Sequence, residues 1–335
     1  MTILNQVPLQ MPWVTLDPFL FCVHHLDKYP TGDGQLGIST SLDGRTVGSD
    51  FSGKDGWSMY HGSKIPGFPS HPHRGFETIT IGRQGYIDHS DSLGAKARFG
   101  EGDVQWMTAG KGVVHSEMFP LINITEKNPT ELFQIWLNLP AQDKMVEPYF
   151  TMFWEDTIQT VDVVDDVGLH SAVQVVAGTF QNQSAPKPPP NSWASRPESD
   201  IAIWSIQSEA NANLTLPPAK EGTNRVLYFF NGSELSINGH RCTVGHAVQV
   251  RSTDELTIEV GDAAVELLVL QGRPIGEPVA KYGPFVMNTQ QELQQAYQDY
   301  QRTQFGGWPW VGRDPVHGSE GRFAIHADGT IERRG

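Results

Sequence analysis

An all-β fold of two barrels in tandem is predicted for this 335-residue chain, and three observations predict it. The length fits two domains at roughly 100–200 residues each, ample for a sizeable core without disulfide staples. Its 34 Gly and 23 Pro make up about one residue in six, a punctuation that favours many short strands over long helices. Short alternating or apolar runs recur between glycines at about 8–12-residue spacing, the signature of a sandwich or barrel.

In order along the chain, Glu77-Thr78-Ile79-Thr80-Ile81 reads as a strand, a Gly82-to-Gly85 turn follows, and Tyr86-Ile87-Asp88-His89 starts the next. Gly102-Asp103-Val104-Gln105-Trp106-Met107 and Leu132 to Leu139 continue the pattern. The same texture returns at Ala202–Ile206, Arg225–Gly232, Leu256–Val260 and Val265–Leu270. Between the two sets, Gln181 to Pro197 carries five prolines, which exclude a long regular element and predict a stiff extended connection. One helix is expected from Asn288 or Thr289 as N-cap, with Leu293, Ala296, Tyr297 and Tyr300 at helical spacing. The Gly-rich end from Gly306 reads as a tail tied down by Trp308 and Trp310. The expected division is residues 1–180 as an N-terminal domain, 181–200 as the connection, 201–305 as a C-terminal domain and 306–335 as the tail.

Charge excludes one class of partner. Lys+Arg 24 against Asp+Glu 38 gives −14, which repels phosphate backbones, so direct nucleic-acid binding is not expected. Cys22 and Cys242 are too few for a disulfide framework and read as buried small hydrophobes in a reducing compartment. No apolar run approaches the roughly 18 residues of a membrane span, and Met1 to Pro12 lacks a signal-peptide pattern. A soluble, cytoplasmic protein without membrane contact is the expectation.

Chemistry concentrates in one group of the 12 histidines: His71-Pro72-His73-Arg74-Gly75-Phe76-Glu77 and, further on, His115-Ser116-Glu117. Residues i and i+2 of a strand share a face with Cα atoms about 6.5–7 Å apart, so two imidazoles can converge on one ion at roughly 2.0–2.1 Å. His71 with His73, and His115 with Glu117, have this parity, and Glu77 shares the parity of the first pair. Five candidate ligands result, for an open three-histidine, one-carboxylate site with positions left for water, dioxygen or substrate. His24, His25 and His89 show no partner at that spacing and are expected to face solvent. Arg74 and Lys111 point either at a ligand's anionic oxygen or at a surface acid. Phe76, Trp106, Met107, Met118 and Phe119 line a pocket or fill the core.

The wording HPHRGFET, GDVQWMTAGKGVVHSEM, LFQIWLNLP and DKMVEP resembles the pirin family, within the cupin superfamily. Further matches at Leu16–Leu20, Pro188–Trp193 and Tyr282–Thr289 extend the resemblance over about Val14 to Phe305. It implies a monomeric bicupin, two jelly-roll β-barrels with a few short helices, with one divalent metal in the N-terminal barrel and none in the second. The implied ligands are His71, His73, His115 and Glu117, with Glu77 behind them, although other cupins use the carboxylate at the position of Glu77. Iron is the implied ion; nickel, copper, manganese and zinc suit the same ligands. The stretch Phe21–Asp27 and the extended turn from Tyr29 to Leu36 depart from the family pattern, so the rim of the pocket is expected to differ.

The implied activity is quercetin 2,3-dioxygenase-like: a small aromatic, flavonol-like substrate and dioxygen, with Glu117 or Glu77 as proton acceptor. The same ligands serve a metal- or redox-sensing protein that regulates transcription regulators or metabolic enzymes without catalysis. They also serve a small-molecule-binding or isomerising cupin.

Overall fold

The computed structural model describes residues 2–318 and 320–334. Its regular structure is short strands, brief 3-10 turns and one α-helix, Gln290–Thr303. Two compact units divide the chain, and neither is continuous in sequence. One gathers Met1–Val23, Ile135–Asn138 and Asp156–Gly276; the other gathers His24–Gln134, Leu139–Glu155 and Glu277–Gly335.

This differs from consecutive blocks at 1–180 and 201–305, and strand pairing explains why. Ile3–Pro8 pairs antiparallel with His246–Val250, satisfying an edge that would otherwise present open N–H and C=O groups. Thr160–Val164 and His170–Ala177 join the same seven-stranded sheet, which continues through Ala202–Ser208, Val265–Gly272 and Asn224–Asn231 to that pair. A four-stranded sheet completes the first unit, and Trp204, Leu227, Val248 and Leu267 of the larger sheet share one core with Leu214, Leu235, Cys242 and Ile258 of the smaller. Period-2 alternation supplies those inward positions. Cys22 and Cys242 are both free and buried. The Pro-rich connection holds only one edge of a two-residue pairing and the single 3-10 turns Trp193–Ser195 and Pro197–Ser199.

The second unit carries His71, His73 and His115. A six-stranded sheet runs in the order Ile331–Arg333, Phe323–Ile325, Lys96–Gly100, Tyr86–Asp91, Val113–Met118 and Gly67–His73. A second sheet contributes the antiparallel neighbours Tyr149–Phe153, Val104–Thr108 and Phe76–Gln84. Tyr29, Phe99, Met107, Phe119, Leu132, Phe150 and Ala324 are buried in one core drawn from both sheets. The expected tail is therefore part of the fold: Phe323–Ile325 pairs with Lys96–Gly100, and the Trp310 indole donates to the Asp91 carbonyl at 2.7 Å. No helix among the described residues is long and apolar enough to cross a membrane.

The single helix begins as its sequence dictates. The Thr289 hydroxyl accepts from the Glu292 N–H and the Glu292 carboxylate accepts from the Thr289 N–H, a complete capping box. Leu293 and Ala296 are its buried residues and pack with Phe285, Met287, Phe305 and Val114. Val114 precedes His115, so the helix backs the strand that carries a candidate ligand.

A glycine sets the turn that leaves His73. Gly75 has φ +84°, and a Cβ there would lie 2.0 Å from the Val286 carbonyl oxygen. The buried Lys144 ammonium clamps the same place, donating to the Gly75 and Val286 carbonyls at 2.8 and 3.3 Å. Gly75→Ala is expected to destabilise the protein by about 3 kcal/mol or more, because backbone rather than a flexible side chain must yield. A denaturant titration checks this; a change below about 0.5 kcal/mol would show that the turn relaxes freely.

Candidate metal centre

Strand register brings the first two histidine positions together. Gly67–His73 and Val113–Met118 are antiparallel neighbours in which His71 lies directly opposite His115. His73 shares the face of His71 two residues on, so all three imidazoles converge. The ring centroids are 4.5 Å apart for His71 and His115, 4.8 Å for His71 and His73, and 4.9 Å for His73 and His115. One ligand nitrogen from each lies within 4.8 Å of the others, a spacing from which modest rotation reaches the 2.0–2.1 Å bonds of a common ion.

Burial prepares these rings as ligands. His73 is 4% exposed and His115 fully buried, and His71 is half-buried. Desolvation lowers the His71 pKa to about 4 and holds those of His73 and His115 well below the ordinary imidazole value, with neighbouring histidines adding to the effect. All three are thus neutral at physiological pH, the form that binds metal. The His71 Nδ1 lies 2.9 Å from the Pro69 carbonyl oxygen. A carbonyl can only accept, so Nδ1 carries the proton and Nε2 presents its lone pair. Neither buried nitrogen of His115 has a hydrogen-bond partner among the described residues. Such orphaned imidazole nitrogens cost free energy unless a ligand meets them, and a divalent cation fits that need.

Glu117 and Glu77 occupy different settings. Glu117 Oε2 is 3.8 Å from His115 Nε2, the Thr80 hydroxyl lies 3.1 Å from Oε1, and the Gln134 amide donates to Oε2 at 3.4 Å. Burial raises the Glu117 pKa, while nearby His89 and the two hydrogen bonds pull it down. Glu77 lies on the other sheet, opposite Thr108 in register, and its fully buried carboxylate accepts from the Thr108 hydroxyl at 2.7 Å.

Two expectations about histidines are corrected. His89 is fully buried rather than solvent-facing: Tyr86–Asp91 pairs with the other edge of Val113–Met118, placing His89 opposite Glu117 and Asp91 opposite His115. Its ring centroid is 5.5 Å from that of His115, and its Nε2 is 3.3 Å from Asp91 Oδ2. Asp91 stands two residues after His89, the same i, i+2 parity that marked the other pairs, so the signal was present in the sequence. His25 is also buried, with its Nδ1 2.8 Å from the Tyr60 hydroxyl oxygen, and half-buried His24 pairs with Glu131 at 2.7 Å. Both are held by residues distant in sequence, which spacing along one strand does not reveal.

The two basic residues settle on the structural side. Arg74 donates to Asp299 at 2.9 Å and to the Lys111 carbonyl at 2.7 Å, with its guanidinium 4.5 Å above the Phe305 ring. Lys111 pairs with exposed Glu147. Met107 and Phe119 belong to the core, and Phe76 packs on the His73 ring at 5.0 Å.

Family models agree with this architecture: Pirin matches residues 37–137, and Pirin C-terminal cupin domain matches residues 203–306. Pirin-1 of Arabidopsis thaliana is 34% identical over 247 residues, covering 72% of this chain and 78% of that protein. The chain belongs to the pirin family. A Pseudomonas aeruginosa relative named provisionally as a quercetin 2,3-dioxygenase is 35% identical over 240 residues, covering 71% of this pirin and 79% of that protein. The crystal structure of a quercetin 2,3-dioxygenase from Acinetobacter baumannii matches with a TM-score of 0.68 at 28% identity, covering 87% of each chain. The all-β bicupin class expected for this pirin is what the two family domains and the strands give.

Proposed function

We propose that this pirin is a metal-dependent dioxygenase that opens the ring of quercetin-like flavonols, with His71, His73, His115 and Glu117 as ligands of one divalent ion, iron in the first instance. The observation that carries the reading is the convergence of three neutral imidazoles, two buried and one half-buried, on adjacent strands with a carboxylate 3.8 Å from one of them. The names of the relatives in Pseudomonas aeruginosa and Acinetobacter baumannii support the choice of substrate class.

A bound transition metal supplies Lewis acidity toward an enolic oxygen and redox chemistry toward dioxygen. The protein binds, orients and excludes water. With three neutral histidines and one carboxylate as ligands, a divalent ion would leave the site with a net positive charge, which suits an anionic flavonolate. Glu117, with its pKa raised by burial, is suited to take the enolic proton, while the Gln134 amide, its oxygen fixed by the Thr80 hydroxyl at 2.6 Å, donates to Oε2. In this assignment Glu77 keeps its carboxylate on Thr108 and holds the opposite wall. The overall reaction joins one dioxygen to one flavonol and releases one carbon monoxide and one depside.

Anaerobic loading with iron, nickel, copper or manganese, followed by quercetin in air, tests the reading. Carbon monoxide release matched by oxygen consumption, absent without metal, is the expected result. Stoichiometric metal with no carbon monoxide from any of the four ions would overturn it.

A further inference from the structure

One buried hydrogen-bonded chain lies outside the ligand set, where the sequence departs from the family pattern. Asp27, Tyr60 and His25 are 3%, 6% and 7% exposed. The Asp27 carboxylate accepts from the Ser58 N–H at 2.8 Å and from the Tyr60 hydroxyl at 2.7 Å. The Tyr60 oxygen in turn lies 2.8 Å from His25 Nδ1. Tyr60 lies between the strands Phe19–Tyr29 and Gly67–His73, and its backbone is in the left-handed region with φ +54°.

Proton counting fixes the direction of this chain. Tyr60 has one hydroxyl proton, and the carboxylate takes it. The phenol oxygen then has only lone pairs to offer, so His25 Nδ1 must donate. Burial lowers the His25 pKa to about 4, so the ring is neutral and Nε2 holds a bare lone pair. No hydrogen bond from the described residues reaches that nitrogen.

Phe68 connects His25 to the metal centre. A register shift between Phe68 and His71 sets Phe68 opposite Glu117. The Phe68 ring is half-buried, 5.8 Å from the His25 ring and 6.5 Å from the His71 ring. It also stacks on Tyr60 at 5.0 Å, so one aromatic surface runs from the ligands to the chain.

We infer that His25 is a specificity-determining residue whose Nε2 accepts a hydrogen bond from a phenolic hydroxyl of the substrate, on a ring that lies against Phe68 away from the metal-facing oxygens. The inference rests on the function proposed above. It selects polyphenols that carry a donor on the pendant ring over those that lack one, because an unmet acceptor in a half-buried site penalises the bare ring.

The test uses metal-loaded protein under anaerobic conditions, so binding is read without turnover. Quercetin is compared with galangin, the same flavonol without pendant-ring hydroxyls, by fluorescence titration of wild type, His25→Phe and Tyr60→Phe. Wild type should bind quercetin about tenfold or more tighter than galangin, and His25→Phe should lose that preference with its metal content unchanged. Nitrogen NMR should show the Nδ1–H tautomer of His25 in wild type and a shift toward Nε2–H in Tyr60→Phe. Equal affinities in wild type, a preference that survives His25→Phe, or an Nε2–H tautomer in wild type would each overturn the inference while leaving the dioxygenase reading in place. Failure of wild type to bind either flavonol would remove both.

Discussion

His73→Ala is expected to leave a folded protein that no longer holds its metal. His73 lies 4.8 and 4.9 Å by ring centroid from the other two imidazoles, so its loss leaves two histidines and one carboxylate around a widened gap. Losing an inner ligand should weaken affinity by more than the roughly 10–100-fold typical of outer-shell changes, enough for metal to be lost on dialysis. Fold should survive, because a buried truncation of this kind costs about 1–3 kcal/mol. Metal analysis after dialysis, beside a thermal melt by circular dichroism, checks both halves. Stoichiometric metal in the variant would mean that the ion sits elsewhere.

The second large effect separates the two carboxylates. Glu117→Gln should lower metal affinity at least tenfold, since the amide keeps an oxygen but removes the only charge assigned to the ligand set. Glu77→Gln should hold metal as wild type does, because a glutamine oxygen can still accept from the Thr108 hydroxyl. Competition against a chelator of known affinity ranks the two variants. If Glu77→Gln were the weaker binder, the carboxylate ligand would lie on Phe76–Gln84, and Glu117 would be released for proton transfer alone.

Much of this molecule is legible in sequence where the information is local. Gly-bounded alternating runs become strands, Thr289 and Glu292 form the capping box, and His71 and His73 share a face because period 2 requires it. What escapes is information that lies across strands. Nothing near His89 says that it will sit opposite Glu117, and nothing near Ile3 says that it will pair beyond His246. The shift that places Phe68 opposite Glu117 is likewise a property of two strands. Partnership between Tyr60 and Asp27 depends on how a long loop folds back, so His25 reads in sequence as an ordinary exposed histidine.

Pairing of Phe323–Ile325 with Lys96–Gly100 also bears on biosynthesis. A ribosome makes His71, His73, His115 and Glu117 long before it makes the strands that close the edge of their sheet and the helix that backs His115. Until then Lys96–Gly100 is an uncovered edge, and the hydrophobic contacts of Val114 have no counterpart. On the proposed ligand assignment, tight metal binding is therefore expected only once these later segments have joined, since a polypeptide released before them would carry the four proposed ligands without the edge strands and helix that support their sheet.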